Sequence, residues 1–252
     1  MKDPVRTVVI DAFPESAFRH RQRDAVACID VMLATTTLVT AVARGRRAFV
    51  ASGPPELRAL QTRLGGVLVA GALDGKSVAF EAPDGPCAME RNGQDQRALV
   101  LLSPPGTELI ANAAEGGAVM LACFRNLSAT ADALARHDRV ALLAAGCREE
   151  FSCEDQMAAA WIAERLLQRG FEAEDRRTAD VVRRWTGIGP SLAGWGNSAA
   201  YLRRDGRGDE VDFVIGHVDD VALACLCEGS EVRLVGTGAE VGVGAPAERS
   251  AE

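Results

Sequence analysis

The sequence predicts an α/β protein of three layers, with a largely parallel or mixed sheet and crossover helices; two closely packed α/β lobes remain an open alternative. Two observations carry this. Short β-branched runs alternate with Ala- and Leu-rich stretches along most of the chain, the trace left by strand–helix crossover units. The 252 residues are 48% hydrophobic and only 5% aromatic, enough aliphatic material for one substantial core or two joined lobes.

Taken in order, 6–10 is the first expected strand, and a polar stretch follows it to Arg23. Residues 25–29 form a wholly apolar run that ends at Asp30, which reads as a buried strand. A helix at 38–43 follows Thr35-Thr36-Thr37 and closes at Gly45. Then come a strand at 48–51, a helix at 54–64 opened by proline, and a strand at 67–70. Residues 71–96 hold Gly75, Pro83, Gly85, Pro86 and Gly93 and read as a long functional loop. Alternation resumes with strands at 99–102, 118–121 and 139–144 and helices at 107–114 and 126–136. The clearest helix is 154–169, where Met157, Ala158, Trp161, Ile162 and Leu166 recur at helical spacing before Gly170. Beyond Phe171 the pattern blurs: a helix at 179–185, a loop at 187–196, short elements at 211–215 and 221–225, and a last strand at 231–235. Residues 1–235 thus read as one unit, with lobes of about 1–120 and 121–235 left open, and 236–252 as a flexible tail.

Composition excludes several classes. No apolar run approaches a membrane span, and no apolar signal region follows Met1, so a cytoplasmic protein with reduced thiols is expected. The seven cysteines include no paired CxxC and there are three histidines, which argues against structural zinc. A formal charge of −7 argues against a nucleic-acid binder. A symmetric homo-oligomer is an ordinary expectation at this size.

Three segments place polar groups where strands end and helices begin, the usual ligand edge of such sheets. The first runs from Asp30 to Thr37, a carboxylate followed by three hydroxyls. Its plain alternative is a helix cap and a turn bond. The second is Ser103-Pro104-Pro105-Gly106-Thr107, where a Pro-Gly turn with a Thr cap competes with an anion site. The third runs from Gly146 through Glu149-Glu150-Phe151-Ser152-Cys153-Glu154-Asp155, whose acids could simply oppose a helix dipole. A Gly236-Thr237-Gly238 to Gly242 run has no helix after it and reads as tail, not as a nucleotide loop.

Together these segments resemble the 2-phosphosulfolactate phosphatases of coenzyme M biosynthesis. Cys28-Ile29-Asp30-Val31-Met32-Leu33-Ala34-Thr35-Thr36-Thr37 is similar to the family's D-V-x-R-A-T-[ST]-T signature. Ala122-Cys123-Phe124-Arg125-Asn126 resembles its G-[SA]-x-x-N element, and Ala144-Ala145-Gly146 through Phe151-Ser152-Cys153-Glu154-Asp155 resembles A-G followed by F-S-x-E-D. The resemblance implies Mg2+-dependent hydrolysis of a small anionic phosphate ester, with a non-catalytic relative that binds a small anion or a protein as the alternative. It implies Asp30, Glu154 and Asp155 as catalytic acids. Asp30 and Asp155 would be the metal carboxylates, although the signature leaves open which of them holds the ion. Thr35, Thr36, Thr37, Ser103, Gly106, Thr107, Arg125, Asn126 and Ser152 would bind substrate. Against the family pattern, Leu33 stands for an Arg, Ala72-Leu73 for Glu-Arg, Asp84-Gly85 for Asn-Ser, and Pro104-Pro105 for two polar turn residues. Lys76, Arg91, Arg125 and Arg148 are the expected replacement cations.

Overall fold

The computed structural model describes residues 5–72, 80–91 and 95–235. The strands are β1 (Thr7–Ala12), β2 (Ala25–Ile29), β3 (Ala48–Val50), β4 (Leu68–Gly71), β5 (Leu99–Leu102), β6 (Ala118–Ala122), β7 (Arg139–Ala144), β8 (Glu172–Ala173), β9 (Ala224–Glu228) and β10 (Glu231–Val235). They form one continuous sheet in the order β4-β5-β3-β10-β9-β6-β2-β7-β1-β8. Two blocks are parallel inside: β4, β5 and β3, and β6, β2, β7, β1 and β8. Between them sits the β9–β10 hairpin, antiparallel to both neighbours. Its two-residue turn, Gly229-Ser230, needs the left-handed φ of 59° that Gly229 supplies. The sheet is therefore mixed, and the two parallel blocks run in opposite directions.

Four strands separate β5 from β2 in the sheet, roughly 24 Å at about 4.8 Å per strand if it lay flat. Yet a Cβ added to Gly106, just past β5, would lie 2.1 Å from Oδ2 of Asp30, just past β2. The sheet must curl to bring those ends together. It curls around α2 (Ala34–Ala43) and α5 (Gly106–Ala113). Leu38, Val39 and Val42 of α2 and Leu109 and Ile110 of α5 pack against Cys28, Leu121 and Leu143 from one block and Val50 and Leu101 from the other. On the outer face of the larger block, α6 (Leu127–Leu134) and α7 (Cys153–Leu167) bury Leu127, Met157 and Trp161 on Ile10, Ala27 and Leu142. On the smaller block, α3 (Pro54–Leu64) buries Leu57 and Leu60 on Phe49, Val69 and Val100. Both faces of the central strands are covered, which is why their sequences are unbroken apolar runs.

The structure differs from the expected elements in places. The Thr35–Thr37 run lies inside α2, and the long loop contains α4 (Pro86–Arg91). A short α1 (Ser16–Arg19) occupies the early polar stretch. The helix expected from 126 begins as a 3-10 turn, Phe124–Asn126. In the blurred region, α8 (Arg176–Trp185) is followed by a 3-10 turn (Pro190–Trp195), then α9 (Asn197–Arg204) and α10 (Gly208–Gly216). Residues 211–215 thus belong to a helix, and only Ala224 and Cys225 of 221–225 are strand. All seven cysteines are free. Among the described residues no helix is long and apolar enough to cross a membrane. The tail, its Gly236–Gly242 run, Lys76 and Leu73 lie outside the described residues.

Candidate active site

Asp30 directly follows β2 and is buried. The first amide of α2, from Ala34, donates to its Oδ1 at 3.3 Å, and the Gly106 amide at the start of α5 also bonds its carboxylate. Two helix N-termini therefore meet on one acid, a natural place for negative charge. Burial is the larger effect: it pushes the Asp30 carboxyl up to about 7, the charges of Asp84 and Glu154 add to the rise, and the two amides only moderate it. Gly106 must be glycine here, because any Cβ would strike the Asp30 carboxylate and Ala34.

Asp155, in the first turn of α7, reaches the same corner. The Val31 amide donates to its Oδ1 at 2.7 Å and the Gly146 amide to its Oδ2 at 3.1 Å. Burial, then the neighbouring charges of Asp30 and Glu154, hold its carboxyl well above the usual range. Glu154 is fully buried; its Oε2 accepts from the Cys153 thiol at 3.3 Å, and its Oε1 has no hydrogen-bond partner.

A cavity of about 500 Å3 opens over Asp30. Leu33, Ala72, Pro104 and Pro105 give its apolar wall, Ser103 and Asp84 its floor beside Asp30, and Arg148, Tyr201 and Arg207 its far side. Ser103 donates its hydroxyl to Asp84 Oδ2 at 2.7 Å. Asp84 Oδ1 ion-pairs with Arg207 Nη1 at 2.8 Å. Arg148 lies over the Tyr201 ring, 4.3 Å from its centroid, and makes no ion pair among the described residues. Eight buried side-chain polar atoms among the described residues lack a hydrogen-bond partner. Three of them, Ser198 Oγ, Arg207 Nη2 and Asp84 Oδ1, the last held only by its ion pair with Arg207, belong to residues lining this cavity. Native proteins strand few such atoms, so their concentration marks a place where a ligand, an ion or water completes the bonding.

The site residues expected from sequence separate into two sets. Asp30 and Ser103 line the cavity. Asp155 converges with Asp30 as expected, but does not line the cavity, and both its oxygens are taken by main-chain amides. It is a buckle between the β2–α2 turn and the β7–α7 loop. Thr35, Thr36 and Thr37 do not line the cavity either. Thr35 donates to the Asp30 and Ala122 carbonyls at 2.6 and 2.8 Å, Thr36 to Val31 O at 2.8 Å, and Thr37 to Asp84 O at 2.5 Å. Their hydroxyls are spent on the backbone that shapes the site. Thr107 accepts from the Ser103 amide at 3.2 Å, and Asn126 bonds Cys123 N and Leu121 O, so both serve turns. Ser152 stands at the α7 N-cap without a side-chain cap bond. Arg125 is used elsewhere, its guanidinium bidentate on Asp220 at 3.0 and 2.6 Å. Arg91 pairs with Asp209 at 3.2 Å. Of the expected replacement cations that are described, Arg148 alone lines the cavity. The sequence reading missed Arg207, Tyr201 and Ser198. An arginine between two glycines, Gly206-Arg207-Gly208, was the available signal, and it is a weak one.

The family model for 2-phosphosulpholactate phosphatase matches residues 12–187. The chain belongs to the 2-phosphosulfolactate phosphatase family. A relative from Deinococcus radiodurans named "Probable 2-phosphosulfolactate phosphatase" is 29% identical over 235 residues, covering 88% of this chain and 94% of its own. Proteins of the same name from Carboxydothermus hydrogenoformans and Thermotoga petrophila are 29% and 31% identical over 168 and 139 residues. Those alignments cover 65% and 55% of this chain, and 69% and 60% of the relatives. The family match spans Asp30, Asp84, Ser103 and Asp155 but stops before α9 and α10, which supply Ser198, Tyr201 and, in the link between them, Arg207.

Proposed function

We propose that this family member is a Mg2+-dependent phosphatase that hydrolyses a small acidic phosphate ester, such as 2-phosphosulfolactate, to sulfolactate and phosphate. The observation that carries the reading is the chemistry of the cavity over Asp30. Its wall carries Asp30, Asp84, Glu108, Glu149 and Asp205 against Arg148 and Arg207. An anionic ester would be repelled from such a wall unless a cation came with it. Among the described residues no three Asp, Glu, His or Cys side chains are grouped to cage a metal. Mg2+ suits that arrangement, because it is commonly held by one or two carboxylates together with water and substrate phosphate oxygens. Asp30 and Asp84 are the donors that fit: both put hard carboxylate oxygens at the floor of the cavity. When bound there, Mg2+ would neutralise phosphate charge and polarise phosphorus.

The side chains do the rest. Arg148, without a carboxylate partner among the described residues, takes phosphate oxygens, and Ser103 fixes Asp84 beside Asp30. A carboxylate at the cavity floor, Asp30 or Asp84, can accept the proton of the attacking water. The water oxygen bonds to phosphorus, the phosphorus–ester oxygen bond breaks, and the proton taken from that water is passed on through solvent to the leaving oxygen as sulfolactate departs. The test is phosphate release from 2-phosphosulfolactate and from phenyl phosphate, each with Mg2+ and with EDTA. Mg2+-dependent release supports the reading, and no release from either ester defeats it.

A second reading, a non-catalytic relative that binds a small anion or a protein, has its own support. Leu33, Ala72 and Pro105 line the cavity at positions where the family signature carries polar or charged groups. The same assay separates the two.

A further inference from the structure

A second cavity, also of about 500 Å3, opens beside the end of β1 and shares no lining residue with the one over Asp30. Ile10 and Ala12 of β1 form its apolar floor, and Gln156 and the exposed ring of Phe151 stand at its rim. One face of α8 supplies its wall. Arg177, Asp180, Val181 and Arg184 recur at the i, i+3, i+4, i+7 spacing of a single helical stripe, with Arg176 beside them. On a chain of formal charge −7, this corner is cationic.

Both acids of this cavity are already engaged. Asp11 Oδ2 takes Arg19 Nη2 at 2.9 Å and His20 Nε2 at 3.0 Å, and its Oδ1 accepts from the Ala12 amide at 2.8 Å. Asp180 ion-pairs with Arg183 on its own helix. The lining arginines are much less committed. Arg176 and Arg177 come no nearer an acid than 3.9 Å among the described residues. Arg184 and the side-chain amide of Gln156 have no hydrogen-bond or ionic partner among them. The Ile10 amide is capped by Thr178 Oγ1 at 3.0 Å and that of Ala12 by Asp11, so an added peptide strand would find neither amide free to pair with. What stands unfilled is a set of side-chain donors around a space the size of a small molecule.

Arg177 and Arg184 lie two helical turns apart, about 10 Å along the axis, with Val181 between them. A single anion would have to draw both long side chains together over the Asp180 carboxylate. A molecule acidic at both ends meets each guanidinium where it stands and lays its middle on apolar surface. We propose that this second cavity binds a small, elongated dianion of the dicarboxylate class, one carboxylate on Arg177, the other on Arg184, and the apolar body on Val181 and Ile10. Each guanidinium offers a planar fork of donors that matches a carboxylate. The site is separate from the chemistry over Asp30 and does not depend on it.

The full-length protein would be titrated with suberate, a straight-chain dicarboxylate, while backbone-amide and arginine side-chain shifts are followed by NMR. Octanoate, of the same length with one acid, and succinate, too short to reach both arginines, serve as the comparison ligands. Suberate shifts should centre on Gln156, Val181 and Arg184 and saturate below about 10 mM. Octanoate and succinate should each bind at least about 5-fold more weakly. R177Q and R184Q replace exposed side chains outside the active cavity, so the fold is not at stake. Each should weaken suberate by about 5-fold or more. No saturable shift, shifts centred on Asp30 and Ser103, or unaltered affinity in either variant overturns the proposal. Octanoate or succinate binding as tightly as suberate also overturns it, because two separated charges would then not be what the cavity reads.

Discussion

Asp30 concentrates the chemistry of the site in one carboxyl group. Two helix N-termini favour its charge, yet burial and the acids around it hold its proton until about pH 7. Replacing it with the isosteric amide would keep the shape and remove the charge. D30N should therefore lower kcat/KM by about 100-fold or more, in line with loss of a positioned base, while the metal-free protein melts at a higher temperature than wild type at pH 8. Steady-state kinetics and a thermal melt in EDTA check the two parts. A variant that loses activity and also melts lower would show that the carboxylate is structural. Gly106 tests the same contact from the other side. G106A forces a methyl into Asp30 Oδ2 and the Ala34 side chain, an overpacking that should cost about 1–3 kcal/mol in urea denaturation.

At the scale of elements, the site is a junction of loops held by a few main-chain bonds, and Asp155 is its fastener. It ties the turn after β2 to the loop after β7 through the Val31 and Gly146 amides. D155A strands two buried donors and should destabilise the fold by about 3 kcal/mol, with faster hydrogen exchange at those two amides than at the β2–β7 ladder. Uniform exchange across the sheet would show that Asp155 is not what closes the junction. This role was half legible in the sequence. An acid at the start of a strongly periodic helix reads clearly as a helix-terminal acid, but nothing in spacing says which amides it will meet. The strands at 25–29, 99–102 and 139–144 were legible for a simple reason: they are covered on both faces and so are apolar at every position. The α9 and α10 helices were not. Each is short and buries few side chains, Ser198 and Ala199 in α9 and Glu210, Val211 and Val214 in α10, so helical periodicity is weak there. Arg207 was lost with them. The curl of the sheet was also invisible, because the meeting of Asp30 with Gly106 depends on a hairpin formed by the last two strands, long after both residues in the chain.

For the molecule as a whole, packing several acids into one corner sets a direction for stability against pH. Asp30 and Asp155 both have folded-state pKa values raised above the ordinary carboxylate value, mainly by burial. Between about pH 4 and pH 7 the unfolded chain has released the Asp30 proton while the folded protein still holds it, and Asp155 is shifted in the same direction. The folded state binds more protons in that window, so stability falls as pH rises through it, by up to about 1.4 kcal/mol per pH unit for each such group. Groups with lowered values, such as Asp11 paired with His20 and Arg19, act only under more acidic conditions. His137, pulled down by partial burial, works in the opposite sense near its ordinary value, so the clean comparison is between wild type and D30N. In EDTA, wild type should melt several degrees lower at pH 8 than at pH 5, and D30N should show a smaller gap. Adding Mg2+ at pH 8 should recover much of the difference in wild type, because a cation on the ionised floor removes the repulsion that burial left unpaid, and should do little at pH 5, where protons occupy the same oxygens. Equal gaps in wild type and D30N would mean that the proton on Asp30 does not govern this corner. A Mg2+ effect of the same size at both pH values would mean that the ion binds somewhere other than these carboxylates.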